Sequence, residues 1–120
     1  MPDPQTFSCR ITVEEPGRVV VADLAGRLDP EAAEVFGEQV EAEYRAGGRR
    51  FVLDLGRLEY VGSIGLRVFA HLASRLKADG VVCVCNPTPA VRSVLDVTKL
   101  AVLLRVHPTR AEAIDAARAR

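Results

Sequence analysis

Leu58-Glu-Tyr-Val-Gly-Ser-Ile-Gly-Leu-Arg67 is the stretch on which the fold turns. Just before it, Phe51-Val-Leu-Asp-Leu55 is a short apolar run bounded by turn residues, the pattern of a buried strand. Just after it, Leu66, Phe69, Ala70, Ala73 and Leu76 recur at helical spacing, with Arg67, His71, Ser74 and Arg75 on the opposite side. Ser63 therefore stands where a strand hands over to a helix, and Gly62 and Gly65 leave the backbone around it nearly bare. Asp79-Gly80 closes the helix, and Val81-Val-Cys-Val-Cys85 is a second buried strand. Strand, helix, strand in this order is a parallel crossover unit.

The same alternation continues outward. Toward the amino terminus, Asp29 is a good helix cap and Pro30 suits the first helical position, where no amide hydrogen is needed. Ala33, Phe36, Val40 and Tyr44 share one face of that helix, glutamates occupy much of the rest, and Gly47-Gly48 ends it. Gly37 costs about 1 kcal/mol there relative to alanine without breaking the pattern. Further back, Phe7–Val13 and Arg18–Leu24 read as strands around the turn Glu15-Pro16-Gly17, a hairpin. Toward the carboxyl terminus, Thr88-Pro89 opens a helix carrying Val91, Val94, Leu95 and Thr98 on one side. Ala101–Val106 reads as a last strand, and Thr109 to Glu112 is a capping box for a final helix. The order β-β-α-β-α-β-α-β-α predicts an α/β fold: a mixed, mostly parallel sheet with an N-terminal hairpin and about four helices. Residues 1–6, with two prolines, read as an extension, and 7–120 as one domain.

Composition narrows the function classes. In 120 residues, 48 % are apolar, enough for one core without staples. Sixteen basic residues balance sixteen acidic ones, so neither a nucleic-acid surface nor a polybasic membrane anchor is expected. Apolar runs such as Val19 to Ala22 or Val81 to Cys85 fall far short of the roughly 20 residues that span a bilayer. Three cysteines, Cys9, Cys83 and Cys85, are too few and odd in number for a disulfide scaffold. A cytoplasmic setting is the expectation.

Ser63 admits three readings. The plainest is a helix N-cap. The second is a phosphorylation switch: a helix amino terminus tolerates a phosphate, whose bulk and charge would disturb a partner docked on a small, glycine-flanked surface. The third is a catalytic serine. Gly62-Ser63-Ile64-Gly65 is similar to a nucleophile elbow but has Val61 where that motif wants glycine. Asp96 and His107 follow in hydrolase order, yet order does not make a triad. Cys83 and Cys85, two apart on a strand, read as core thiols, since a metal would need further ligands. Neither phosphate-binding glycine pattern, GxxxxGK[ST] or GxGxxG, occurs. No cofactor and no metal site are expected.

Four segments together resemble the STAS domain family of the anti-sigma-factor antagonist type. Val19 to Asp29, VVVADLAGRLD, is similar to the family's strand followed by G-x-L-D. Phe51 to Leu55, FVLDL, is similar to its central strand. Tyr60 to Arg67, YVGSIGLR, resembles the switch motif D-[ST]-[ST]-G-L and its variant I-S-S-A-G-L-R. Asn86 to Leu100, NPTPAVRSVLDVTKL, resembles N-P-x-x-x-V-x-x-x-L-x-x-[TS]-G-L. Three positions depart: Gly62 replaces the aspartate or serine, Ile64 the second hydroxyl residue, and Lys99 the glycine of [TS]-G-L.

The resemblance implies a module without catalytic activity that works by partner switching. Its implied partner is an anti-sigma factor that is also a serine-protein kinase, and a PP2C-type phosphatase reverses the modification. Ser63 matches the phosphoacceptor, Gly65 and Leu66 the Gly-Leu of the motif, and Asp29 the aspartate of G-x-L-D. The expected partner surface comprises Asp29, Gly62, Ile64, Gly65, Leu66, Arg67 and His71, with the chain a monomer or weak homodimer. Some family members instead serve, unphosphorylated, as subunits of bacterial lipid-transport ABC complexes, and Gly62 and Ile64 fit that alternative. Direct nucleotide binding is a third reading, disfavoured by the missing phosphate loop.

Overall fold

The computed structural model describes residues 6–120. The sequence-predicted extension therefore lies, apart from Thr6, outside the described residues. Five strands form one sheet in the spatial order β1-β2-β3-β4-β5: β1 (Ser8–Glu14), β2 (Val19–Leu28), β3 (Arg50–Val61), β4 (Val81–Cys85) and β5 (Val106–His107). β1 pairs antiparallel with β2, and every other pair is parallel.

Alternation along the strands builds two cores. Val20, Ala22 and Leu24 of β2, Phe51, Leu53 and Leu55 of β3, and Val82 and Val84 of β4 all point to one face. Helices α1 (Pro30–Arg45), α2 (Ser63–Arg75), α3 (Pro89–Val97) and α4 (Leu100–Leu103) cover it. Phe36 of α1 sits edge-on between Phe7 and Phe69, with ring centroids 6.2 and 5.8 Å away. The other face carries Val19, Val21, Val52, Val81, Cys83 and Cys85 and is closed by α5 (Arg110–Arg118) through Ala113 and Ala117.

Three elements differ from the sequence reading. β3 does not stop at Leu55 but runs to Val61, paired with the equally extended end of β2, where the register shifts around Gly26 (φ 87°). Leu58 and Val61 are buried while Gly56, Arg57, Glu59 and Tyr60 are exposed, so the strand's end lacks a clean period of two. The expected strand Ala101–Val106 is helical over its first half: α4 occupies Leu100–Leu103, a turn follows, and only Val106–His107 pair with β4. Leu100, Ala101 and Leu104 face the core at helical spacing, which an apolar run this short does not distinguish from a strand. The helices accordingly number five among the described residues. In α2 the buried residues are Gly65, Phe69, Leu72 and Ala73, with Leu66 and Ala70 only half-buried.

Candidate functional site

The parallel pairing of β2 and β3 sets two helix starts side by side. Leu28 and Val61, the last residues of the two strands, are register partners, and the Gly62 amide donates to the Leu28 carbonyl at 3.1 Å. Asp29 and Gly62 are then the first residues beyond the sheet, and each caps a helix. Asp29 does so with its side chain, which accepts from the Ala32 amide at 2.9 Å, and Pro30 follows as the sequence predicts.

Gly62 caps α2 with backbone alone. It is extended (φ −93°, ψ 179°), its carbonyl accepts from the Leu66 amide at 3.0 Å, and no side chain caps the helix. Ser63 is thus the first helical residue and not the cap, which corrects the plainest sequence reading. Its side chain is exposed. The first turn of α2 holds no acidic residue, so the partial positive charge of the free amides there is unanswered by any carboxylate of that turn.

The other residues singled out by sequence divide by role. Gly65 is buried where α2 crosses the sheet: a Cβ there would stand 2.8 Å from Leu28 Cγ and 3.0 Å from Val61 Cγ2. Leu66 is half-buried against the main core, so it holds the helix down and offers little of itself to a partner. Ile64, Arg67 and His71 are exposed and line the groove between α1 and α2. Asp29 lies at the head of α1, across the strand ends from Ser63.

Two residues of this surface were not found by sequence reasoning. Tyr60 and Arg27 are register partners at the ends of β3 and β2, and the Arg27 guanidinium lies 4.2 Å from the Tyr60 ring centroid. The Tyr60 hydroxyl covers Gly62 closely enough that an added Cβ would meet it at 3.1 Å. Their separation in sequence hides the pair; only the register reveals it.

The catalytic reading does not assemble. Asp96 is paired with Arg92 one turn away on α3, and His107 lies on β5, two strands from β3. Among the described residues no hydrogen bond joins Ser63, His107 and Asp96. The thiols are also dispersed: Cys83 and Cys85 lie under α5, while Cys9 packs on the opposite core. Burial pushes the Cys9 thiol up to about 11 and the Cys85 thiol up to about 12, away from thiolate chemistry.

On the α5 side, Arg110 at the first position of α5 donates to Asp54 at 2.8 Å and to Asp23 at 3.0 Å. Asp54 also accepts from the Gly56 amide at 3.0 Å and is 7 % exposed. The two carboxylates raise the pKa of the Arg110 guanidinium further, the bond to Asp54 most of all. This cluster fastens the last helix to the sheet.

Known proteins share this fold. The candidate anti-sigma factor antagonist BtrV of Bordetella bronchiseptica is 32 % identical over 108 residues, covering 89 % of this chain and 93 % of BtrV. A crystal structure of an anti-sigma factor antagonist from Mycobacterium paratuberculosis superposes with a TM-score of 0.85 over 98 % of this chain and 99 % of that one, at 24 % identity. SpoIIAA in its unphosphorylated form, an anti-sigma factor antagonist, superposes with a TM-score of 0.77 over 96 % and 98 % of the two chains, at 26 % identity. SpoIIAA has also been solved phosphorylated, and that form aligns with a TM-score of 0.69, over 96 % of this chain and 100 % of that one, at 26 % identity. The STAS domain family model matches residues 10–113, from within the edge strand to the first turn of α5. With this sheet, these helix starts and that match along nearly its whole length, the chain belongs to the STAS domain family.

Proposed function

We propose that this chain is an anti-sigma factor antagonist whose docking on a kinase-type anti-sigma factor is switched by phosphorylation of Ser63. The observation that carries the reading is the start of α2, which no side chain caps. Because Gly62 follows the strand and caps with its backbone, the Ser63 side chain is exposed and carries no capping bond.

The partner supplies the chemistry. The γ-phosphoryl group passes from ATP to Ser63 Oγ, the bond to the departing ADP breaks, and the hydroxyl proton goes to a base of the kinase. A PP2C-type phosphatase returns the serine by hydrolysis. The chain itself contributes an acceptor and a surface, and is not an enzyme.

The local electrostatics favour a stable phosphorylated form. The phosphate brings about −1.5 to −2 charges to the positive end of α2. Arg67, one turn along the same helix and exposed, is placed to pair with it. On a chain of zero formal net charge, that is a large local change beside the apolar, exposed Ile64. The test is the affinity of the Ser63→Asp variant for the kinase-type anti-sigma factor of the same organism. The expected result is weakening by about tenfold or more; unchanged affinity sinks the switch.

A further inference from the structure

We propose that the groove between α1 and α2 seats an amphipathic helix of the anti-sigma partner, its apolar stripe lying over Gly37, Ile64 and Val68. This rests on the antagonist reading of the chain. The groove holds about 270 Å³. Its floor is apolar, with Val40 and Leu72 buried beneath it. From Ile64 to Arg75 it runs about 16 Å, three turns of helix.

The two walls carry opposite charge. On the α1 side stand Glu34 and Glu38, both exposed, in the adjoining cavity that shares Gly37, Ile64 and Val68 with the groove, and on the α2 side stands the Arg67 cation beside the His71 ring. A helix with a basic flank toward α1 and an acidic flank toward α2 matches both walls, and a helix with like charges on both flanks is opposed by one of them. The far end of the groove is shut: Glu41 and Arg75 form an ion pair across it, and the Arg75 guanidinium lies 3.8 Å from the Tyr44 ring centroid. Ile64 lines the near end and adjoins Ser63 in the first turn of α2, so the end of a seated helix would lie beside Ser63. A phosphate there would obstruct the docked helix and draw Arg67 off the basic wall.

Gly37 supports the assignment independently of charge. It lies inside α1, where glycine weakens a helix. Yet an added Cβ would meet only Val68 Cγ2, at an ordinary 3.7 Å. The fold does not require a glycine at that position; its absent side chain deepens the floor where the helices approach, leaving room for a partner's apolar anchor.

The experiment is calorimetric titration of the full chain with the purified kinase-type anti-sigma factor of the same organism. It compares wild type, Gly37→Ala, the double variant Glu34→Lys/Glu38→Lys, and Ser63→Asp. Gly37→Ala is expected to raise the thermal midpoint while binding about fivefold weaker, and the double variant to stay folded and bind about tenfold weaker. If both bind like wild type while Ser63→Asp is weakened, the groove assignment is overturned and the switch stands. If both are weakened and Ser63→Asp is not, the groove stands and the switch fails. If wild type does not bind, both fall. A concentration-dependent dimer in sedimentation, dissolved by both groove variants, assigns the groove to a second copy and overturns the proposal.

Discussion

Gly65 lies so close to Leu28 that a Cβ at position 65 would stand 2.8 Å from Leu28 Cγ and Cδ2. Leu28 is fully buried at the end of β2, and Val61 closes the other side, so neither neighbour has room to yield. Gly65→Ala should therefore destabilise the chain by about 1–3 kcal/mol through overpacking, despite alanine's better helix propensity. Gly37→Ala, whose Cβ would meet only Val68 at an ordinary van der Waals distance, should stabilise by about 0.5–1 kcal/mol. Urea denaturation of the two variants reads the contrast. Equal shifts in one direction would show that α2 is not seated on Leu28 as described.

Lys99 supplies a second prediction. It sits between α3 and α4 with φ 64° and ψ 15°, in the left-handed region. A glycine is free of the Cβ clash there, which gives a physical reason for glycine at the corresponding motif position. Lys99→Gly should raise stability by about 1 kcal/mol, the relief of the left-handed penalty less the entropy added to the unfolded chain. A fall in the urea midpoint would contradict it.

The Arg110 cluster supplies a third. Removing the guanidinium leaves the carboxylate of Asp54 almost buried, with the Gly56 amide as its one short donor and the Asn86 side-chain amide 3.5 Å away. Arg110→Ala should cost about 1–3 kcal/mol, toward the lower end because the arginine side chain is 40 % exposed. Arg110→Lys should recover only part, since an ammonium cannot span Asp23 and Asp54 as the guanidinium fork does. Full recovery by lysine would reduce the cluster to net charge.

The buried thiols make stability fall in alkali. Cys9 and Cys85 are raised by desolvation first and by nearby carboxylates second, from an ordinary 9.0 to about 11 and about 12. Above the unfolded value the unfolded chain has lost thiol protons that the folded chain keeps. The contribution is therefore complete below about pH 9 and is lost as pH rises toward about 12. The urea midpoint should drop between about pH 9 and about pH 12, and drop less in Cys9→Ala/Cys85→Ala. An identical drop in the double variant would assign the effect to other groups.

What the sequence revealed was what local chemistry controls. The valines of β2 alternate, and Asp29, Thr88 and Thr109 each cap a helix with the side chain read for that role. What it concealed depends on pairing at a distance. β3 reaches Val61 because β2 extends beside it, and the resulting bond from Gly62 to the Leu28 carbonyl moves the start of α2, turning Ser63 from a cap into an exposed first residue. Arg27 and Tyr60 meet only through that register. The departure at Lys99 was visible as a residue, but its left-handed backbone was not.

The central claim is that the exposed Ser63 side chain receives a phosphate. The most direct measurement is intact-mass and peptide mapping of the chain after incubation with ATP and the kinase-type anti-sigma factor of its organism. The account predicts one phosphate per chain, on Ser63, absent in Ser63→Ala and removed by a PP2C-type phosphatase. No phosphate on a chain shown to bind that kinase, or a phosphate retained in Ser63→Ala, would contradict it.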